Sequence, residues 1–308
     1  MHKYILRRLL MMIPVLIGVM FIIFVLDYIR PGCPSRVILG EAASPEAIAR
    51  VREELRLDDP FLIRFGSFVG NALTLDFGRS WQTNRPVFQE IFARFPNTMQ
   101  LAGMSVIFAL LMGVPLGILS ATKQYSIFDI IANFTGLLAA AIPNFWLGMM
   151  MVILFGVNLR IFPTSGWGTP MHWVMPVVAI GASSAAIIMR MTRSSMLECI
   201  RSDYIRTARA KGQKESVVIF KHALRNALIP VTTVAGLTFG ALLGGAVLTE
   251  TIFAIPGLGR FMVEAISQMD QPLVQGGVLL IAISFSLVNL LVDILYAFID
   301  PRIRSQYR

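Results

Sequence analysis

The sequence predicts an all-α polytopic membrane protein with six transmembrane helices. Composition, six uncharged stretches and the sidedness of the remaining charge each point there. The 308 residues are 56% hydrophobic and only 15% charged, with a mean hydropathy of +0.69. A water-soluble chain carries about a quarter charged residues. Soluble enzymes and DNA-binding modules are excluded on that ground, and two cysteines exclude a disulfide framework or a four-cysteine metal site.

Stretches without Asp, Glu, Lys or Arg run over Leu9 to Leu26, 95–122, Ile130 to Leu159, Ile161 to Met189, Asn226 to Thr249 and Gln271 to Val292. Each supplies the roughly 17 to 25 apolar residues that a bilayer crossing needs. A charge in mid-bilayer costs about 3 kcal/mol on insertion scales, so six such stretches mark six spans. The first follows Lys3, Arg7 and Arg8, as a secretory signal would. No small-residue cleavage pattern follows it, and Arg30-Pro31-Gly32-Cys33 sets a charge where a lipoprotein signal has an aliphatic residue. The first helix is therefore expected to remain.

Charge orients the spans. Between the fourth and fifth, nine basic residues (Arg190 to Arg225) oppose Glu198, Asp203 and Glu215. After the fifth, Arg260 alone opposes Glu250, Glu264 and Asp270. The positive-inside rule puts the first loop in the cytoplasm and the second outside. Both termini are then cytoplasmic, which Arg302, Arg304 and Arg308 at the end of the chain also favour. The net charge of +9 reflects topology and gives no reason to expect nucleic acid. Cys33 falls outside and Cys199 inside, so the two cannot pair within the chain.

The chain accordingly divides into residues 1–30, the N-terminus and first span; 31–95, an extracytoplasmic segment of mixed charge; and 96–308, a five-helix core with a cytoplasmic loop at 195–225. In the outer segment, Ser44-Pro45-Glu46 predicts a capped helix over 45–57, and the Gly and Asn content of 66–84 predicts turns. Prolines 14, 115, 143, 176 and 230 fall inside spans, where membrane helices tolerate them. Gly236, Gly240 and Gly244 share one helix face, a pattern that suits close packing.

The cytoplasmic loop is the most informative segment. Met196, Ile200, Tyr204 and Ala208 recur every four residues and predict one amphipathic helix. Gly212 stands where a left-handed cap would end it. Val217, Phe220 and Leu224 predict a second helix, and the pair would form either a docking surface or a basic patch on the lipid headgroups.

The run from Asp203 through Tyr204-Ile205-Arg206-Thr207-Ala208-Arg209-Ala210-Lys211-Gly212, with His222 to Pro230 after it, resembles the cytoplasmic signature of ABC-importer permeases in its dipeptide, oligopeptide and nickel form. The general signature has Glu-Ala-Ala, three residues, then Gly. Here Arg206 and Thr207 replace the Glu and first Ala, as in the peptide/nickel branch, while Ala208 and Gly212 are kept. Ile5 to Leu9, Asp76-Phe77-Gly78, Arg190 to Met196, Leu248 to Phe253, Pro256-Gly257-Leu258-Gly259, Asp293 to Tyr296 and Asp300-Pro301-Arg302 extend the likeness over nearly the whole chain.

That resemblance implies the MetI-like permease fold, in the bacterial inner membrane. It implies a second, homologous permease forming a heterodimer with this chain, together with two cytoplasmic ATPase subunits and an extracytoplasmic binding protein. ATP and Mg would be held by the ATPases, with no cofactor in this chain. Asp203, Tyr204, Arg206, Thr207, Ala208, Arg209, Ala210, Lys211 and Gly212 would form the ATPase-coupling element. Within it, Gly212 would give the turn and Ala208 the close approach, while Arg206, Arg209 and Lys211 would orient the surface through polar contacts. The segment 31–95 would help dock the binding protein.

Other classes fit less well. The sequence has no phosphate-binding Gly-x-x-x-x-Gly-Lys-[Ser/Thr] run, so ATP hydrolysis is assigned to partners. An ion-coupled secondary transporter would use ionisable residues within spans. Only Asp27 and Asp293 qualify, and both lie near predicted helix ends, where they read as packing partners. His2, His172 and His222 are too scattered for an enzyme or metal centre, and His172 beside Trp173 reads as an interfacial residue. Asn133, Asn144, Ser183, Ser184 and Asn289 would either face a pathway or bond between helices. The resemblance implies di- or oligopeptide cargo first, and nickel or a metal chelate as the alternative.

Overall fold

The computed structural model describes residues 2–29, 34–40 and 42–299, so Cys33, Arg302, Arg304 and Arg308 lie outside the described residues. All regular elements among them are helical. In chain order they are α1 (His2–Ile29), α2 (Pro34–Leu39), α3 (Pro45–Glu54), α4 (Phe61–Leu73), α5 (Val87–Thr122), α6 (Ile127–Ala141), α7 (Asn144–Met151), α8 (Pro170–Ile200), α9 (Asp203–Ala210), α10 (Glu215–Val217), α11 (Leu224–Gly245), α12 (Val247–Ile252), α13 (Leu258–Ser267) and α14 (Gln271–Ile299). Wide π-type turns continue α7 through Val152–Asn158 and join α10 to α11 through Val218–Ala223.

Five helices are long and apolar enough to cross a bilayer, and the third uncharged stretch is not among them. Instead of one span over 130–159, the chain forms α6 and α7, bent by 95° at Ile142-Pro143. Pro143 supplies no amide hydrogen and disfavours a helical conformation at Ile142, which adopts ψ 123°. The bent pair still travels from one end of the bundle to the other. Asp129 near its start bonds Arg193 in the last third of α8, and Trp167 beyond its end bonds Gln100 in the opposite half of α5. It thus completes a sixth, broken crossing.

Three further boundaries differ from expectation. The second span begins at Val87, nine residues before 96, because Val87, Ile91 and Phe95 pack on Leu258, Phe261 and Met262 of α13. Residues 66–73, expected in turns, belong to α4, since Phe61, Phe65 and Phe68 find partners in Phe21, Phe24 and Tyr28 of α1. Helix α3 ends at Glu54 instead of 57, although Ser44 caps it as expected by accepting from the Ala47 amide.

Helices α5 and α8 form the centre. Their backbones approach closely, so that a Cβ on Gly113 would lie 2.7 Å from the Ala185 carbonyl and one on Gly117 would lie 2.6 Å from Thr192 Cβ. Helix α14 packs between α1 and α11. Gly236, Gly240 and Gly244 do form a packing face: they receive Val292, Phe285 and Ile281 of α14. Gly236→Leu is therefore expected to cost about 1–3 kcal/mol by overpacking. Thermal unfolding of the purified chain in detergent should show this as a lowered midpoint. Gly18→Leu on α1, where a Cβ meets nothing within 4 Å, should leave the midpoint unchanged.

Candidate functional site at the α9 end of the bundle

The four-residue stripe Met196, Ile200, Tyr204, Ala208 does not lie on one helix. Helix α8 carries Met196 and Ile200 and stops at Arg201–Ser202, and α9 starts afresh at Asp203. The second expected helix is likewise the start of the fifth membrane helix, which runs from Glu215 to Gly244 without a break. One short helix therefore projects between two continuous ones.

Its root is Ile205, which is fully buried in a cluster with Ala121, Met196, Val218, Ala223 and Ala227. Ala208 is half-buried against the same cluster. Tyr204 stays exposed, and its hydroxyl accepts from Asn226 Nδ2 on α11 at 2.9 Å. Asp203, Arg206, Thr207, Ala210 and Lys211 all face outward. Arg206 pairs loosely with Asp203 at 3.5 Å, and the Thr207 hydroxyl donates to the Asp203 carbonyl.

Gly212 closes α9 with φ +73°. Its amide donates to the Arg209 carbonyl at 2.9 Å and the Gln213 amide to the Ala208 carbonyl at 3.4 Å, the double bond pattern of a glycine-terminated helix. Arg209 spans this turn, with Nε at 3.1 Å and Nη2 at 2.7 Å from the two carboxylate oxygens of Glu215. Arg209, expected to orient this surface through polar contacts, makes its contact within the turn. Beside α9 lies a depression of about 510 Å³ lined by Arg193, Ser194, Leu197, Glu198, Arg201 and Ser202.

Two polar centres escaped the sequence reading. At this end, Asp129 accepts both Nε and Nη2 of Arg193 at 2.8 Å, the amide of Tyr125 and the hydroxyl of Ser120. Counting uncharged residues from Ile130 left Asp129 just outside the stretch and unweighed. Its position three residues after the helix cap Ser126 was the available signal.

At the opposite end, Glu250 is fully buried. It accepts from the Thr98 hydroxyl on α5 and from the Arg260 amide at 2.8 Å, with the Gly259 amide also directed at it. The Thr98 hydroxyl in turn accepts from the Leu258 amide. One carboxyl group thus caps α13 and ties it to α12 and α5. Gly257 is required here, because a Cβ would lie 2.3 Å from the Glu250 carboxyl, and one on Gly259 would be crowded by Val247 at 2.9 Å and Glu250 at 3.0 Å. Burial raises the Glu250 carboxyl above its ordinary range, against the lowering effect of these three donors. Nearby, Asp270 is buried under the Ser80 hydroxyl and the Trp81 and Gln82 amides, which fastens residues 80–82 to the base of α14.

Asp293, Asp27, His172, Asn133, Ser183 and Ser184 find partners within the chain. Asp293 pairs with Arg8 at 3.1 Å and Asp27 accepts from Gln275, so both join α1 to α14 as packing partners. His172 Nδ1 lies 2.8 Å from the Thr169 hydroxyl at the start of α8. Asn133 donates to Asp129, and Ser183 and Ser184 donate to the Ile180 carbonyl of their own helix.

Comparison with known proteins matches this arrangement. Residues 113–305 match the family "Binding-protein-dependent transport system inner membrane component", and residues 1–102 match the N-terminal model of the same transport systems. The chain is 45% identical to the dipeptide transport system permease protein DppB of Alkalihalophilus pseudofirmus, over 99% of this chain and 100% of the relative. It is 43% identical to the glutathione transport system permease protein GsiC of Pectobacterium atrosepticum, over 99% of each. Among solved structures, an inward-facing MetNI methionine ABC transporter chain superposes with a TM-score of 0.54 at 21% identity, covering 68% of this chain and 96% of that one, and so shares the fold. A multi-pass helical bundle with one broken crossing, closely packed through glycines and carrying a single short helix at one end, is here joined to full-length likeness. The chain belongs to the binding-protein-dependent transport system inner membrane component family, the permeases of ABC importers.

Proposed function

We propose that this chain is one of two related permeases in an ATP-driven importer of di- and oligopeptides. The observation that carries the reading is end-to-end identity of 42–45% to permeases named for dipeptide and glutathione transport. Both cargoes are short peptides, which favours peptide over nickel. The basic α9 end faces the cytoplasm on the positive-inside rule, which puts both termini there. Helix α9 docks on an ATPase subunit through Asp203, Arg206, Thr207, Ala210 and Lys211, while Ile205 anchors it to the bundle. ATP and Mg sit in the two ATPase subunits, and this chain breaks no bond. The second permease is a different, homologous chain, and the binding protein meets the outer face built by residues 34–86. Lipid covers the exposed apolar sides of α1 and α6.

Movement of the ATPases on nucleotide binding is passed to α9 as a rigid body and from there to α8 and α11, between which it is seated. Uptake by a strain lacking only this gene tests the reading. Labelled dialanine uptake should fall at least tenfold, and uptake of radioactive nickel should not change. Loss of nickel uptake with dialanine uptake intact would replace peptide by nickel.

A further inference from the structure

We propose that the Asp129–Arg193 pair is a positioning link that carries movement of α8 into the bent α6–α7 crossing. The inference rests on the importer reading above and adds a route between the two ends of the chain. Arg193 lies on α8 nine residues before the Ser202 turn, so displacement of α9 reaches it along a continuous helix. Asp129 lies in the first turn of α6. Ser120 of α5 and the amide of Tyr125 converge on the same carboxylate, so the link gathers α5, the α5–α6 turn, α6 and α8 at one point.

Helix α6 packs on α8 and α5 with one side and leaves the other uncovered. Ile127, Phe128, Ile130, Ile131, Phe134 and Leu137 are 54–74% exposed. Its apolar contact with α8 includes Gly136 against the Met189 methyl and Ala186. A guanidinium fork on a carboxylate has fixed direction and registers one helix on another. Stability alone does not call for a buried ion pair, since apolar side chains of similar volume often do as well or better. Beyond the 95° bend, Gly148 of α7 receives Phe253 and Ala179. Phe253 follows α12, whose Glu250 ties α13 to α5. Displacement entering at Arg193 thus leaves at the latched outer helices.

The test uses the complete importer in proteoliposomes, with labelled dialanine transported per ATP hydrolysed as the readout. Asp129→Asn keeps the size of the side chain and one acceptor oxygen, enough for either Ser120 or the Tyr125 amide. ATP hydrolysis should stay within twofold of the parent while dialanine moved per ATP falls at least tenfold. Arg193→Lys, which keeps the charge and loses the fork, should give an intermediate ratio. The double variant Asp129→Asn/Arg193→Gln leaves no charge unpaired and should remain uncoupled. A normal ratio in the double variant would overturn the proposal, because the harm in the single one would then come from an orphaned charge. Poor assembly of Asp129→Asn with a normal ratio in the complexes that do form would also overturn it. If the parent hydrolyses ATP and takes up no dialanine, the peptide reading fails by itself. The link is then read from stimulation of ATP hydrolysis by the binding protein, which Asp129→Asn should abolish and which would be retained if the pair were only structural.

Discussion

Gly212→Val should abolish peptide uptake while the chain still inserts into the membrane in normal amount. The reason is conformational. A Cβ at Gly212 meets nothing within 4 Å, so there is no clash to relieve. The residue sits at φ +73°, a region that costs an L-residue about 1–2 kcal/mol and a β-branched one more. Valine would push the turn out of the left-handed region and break the two hydrogen bonds that close α9. The Arg209–Glu215 bridge across the turn would lose its register, and Ile205 would leave the cluster that seats α9. Co-purification of ATPase subunits with the tagged permease should fall in parallel with uptake. Gly212→Asn, which tolerates positive φ, should retain most of both. Normal transport by the valine variant would remove α9 from the coupling path.

Glu250→Ala should be the most destabilising single change at the α13 end of the bundle. It strips the cap from α13 and leaves the Thr98 hydroxyl and the Arg260 and Gly259 amides buried without an acceptor. Each such orphan costs about 1–3 kcal/mol, and the vacated volume adds to it. The sum exceeds about 3 kcal/mol and falls on α12 and α13, where Phe253, Ile255 and Leu258 are fully buried. Protease digestion from the outer face should then cut within 247–267, where the parent resists. Glu250→Gln keeps an acceptor oxygen and most of the volume and should be cut more slowly. Equal protease resistance in the alanine variant and the parent would show that α13 does not depend on this cap.

Much of the architecture was legible because membrane insertion depends on additive, local quantities. Run lengths of uncharged residues marked five of the spans, and the Gly236, Gly240 and Gly244 face required only helical periodicity. Gly212 was readable for a related reason, since a glycine after a run of helix formers signals a left-handed cap whatever surrounds it. The 195–225 loop divides differently from its sequence pattern. Its period of four runs unbroken across Arg201–Ser202, and nothing local says that the helix stops there. Ile205 decides the matter: it is off the stripe, yet it is the side chain that the cluster around Met196 and Val218 buries.

The tertiary structure decided what depends on partners distant in sequence. The bend at Pro143 becomes 95° because α7 has Phe253 and Ala179 to pack on. Asp129 tolerates its burial because Arg193, 64 residues away, satisfies it. Glu250 tolerates its burial because Thr98 and the open end of α13 do the same, 152 residues away in the case of Thr98. A buried carboxyl group is costly until its donors are counted, and those donors come from other helices. Span number and the glycine that closes α9 follow from each segment's own transfer free energy and backbone preference. The links between the two ends of the bundle arise only once the helices have packed and their polar groups have met.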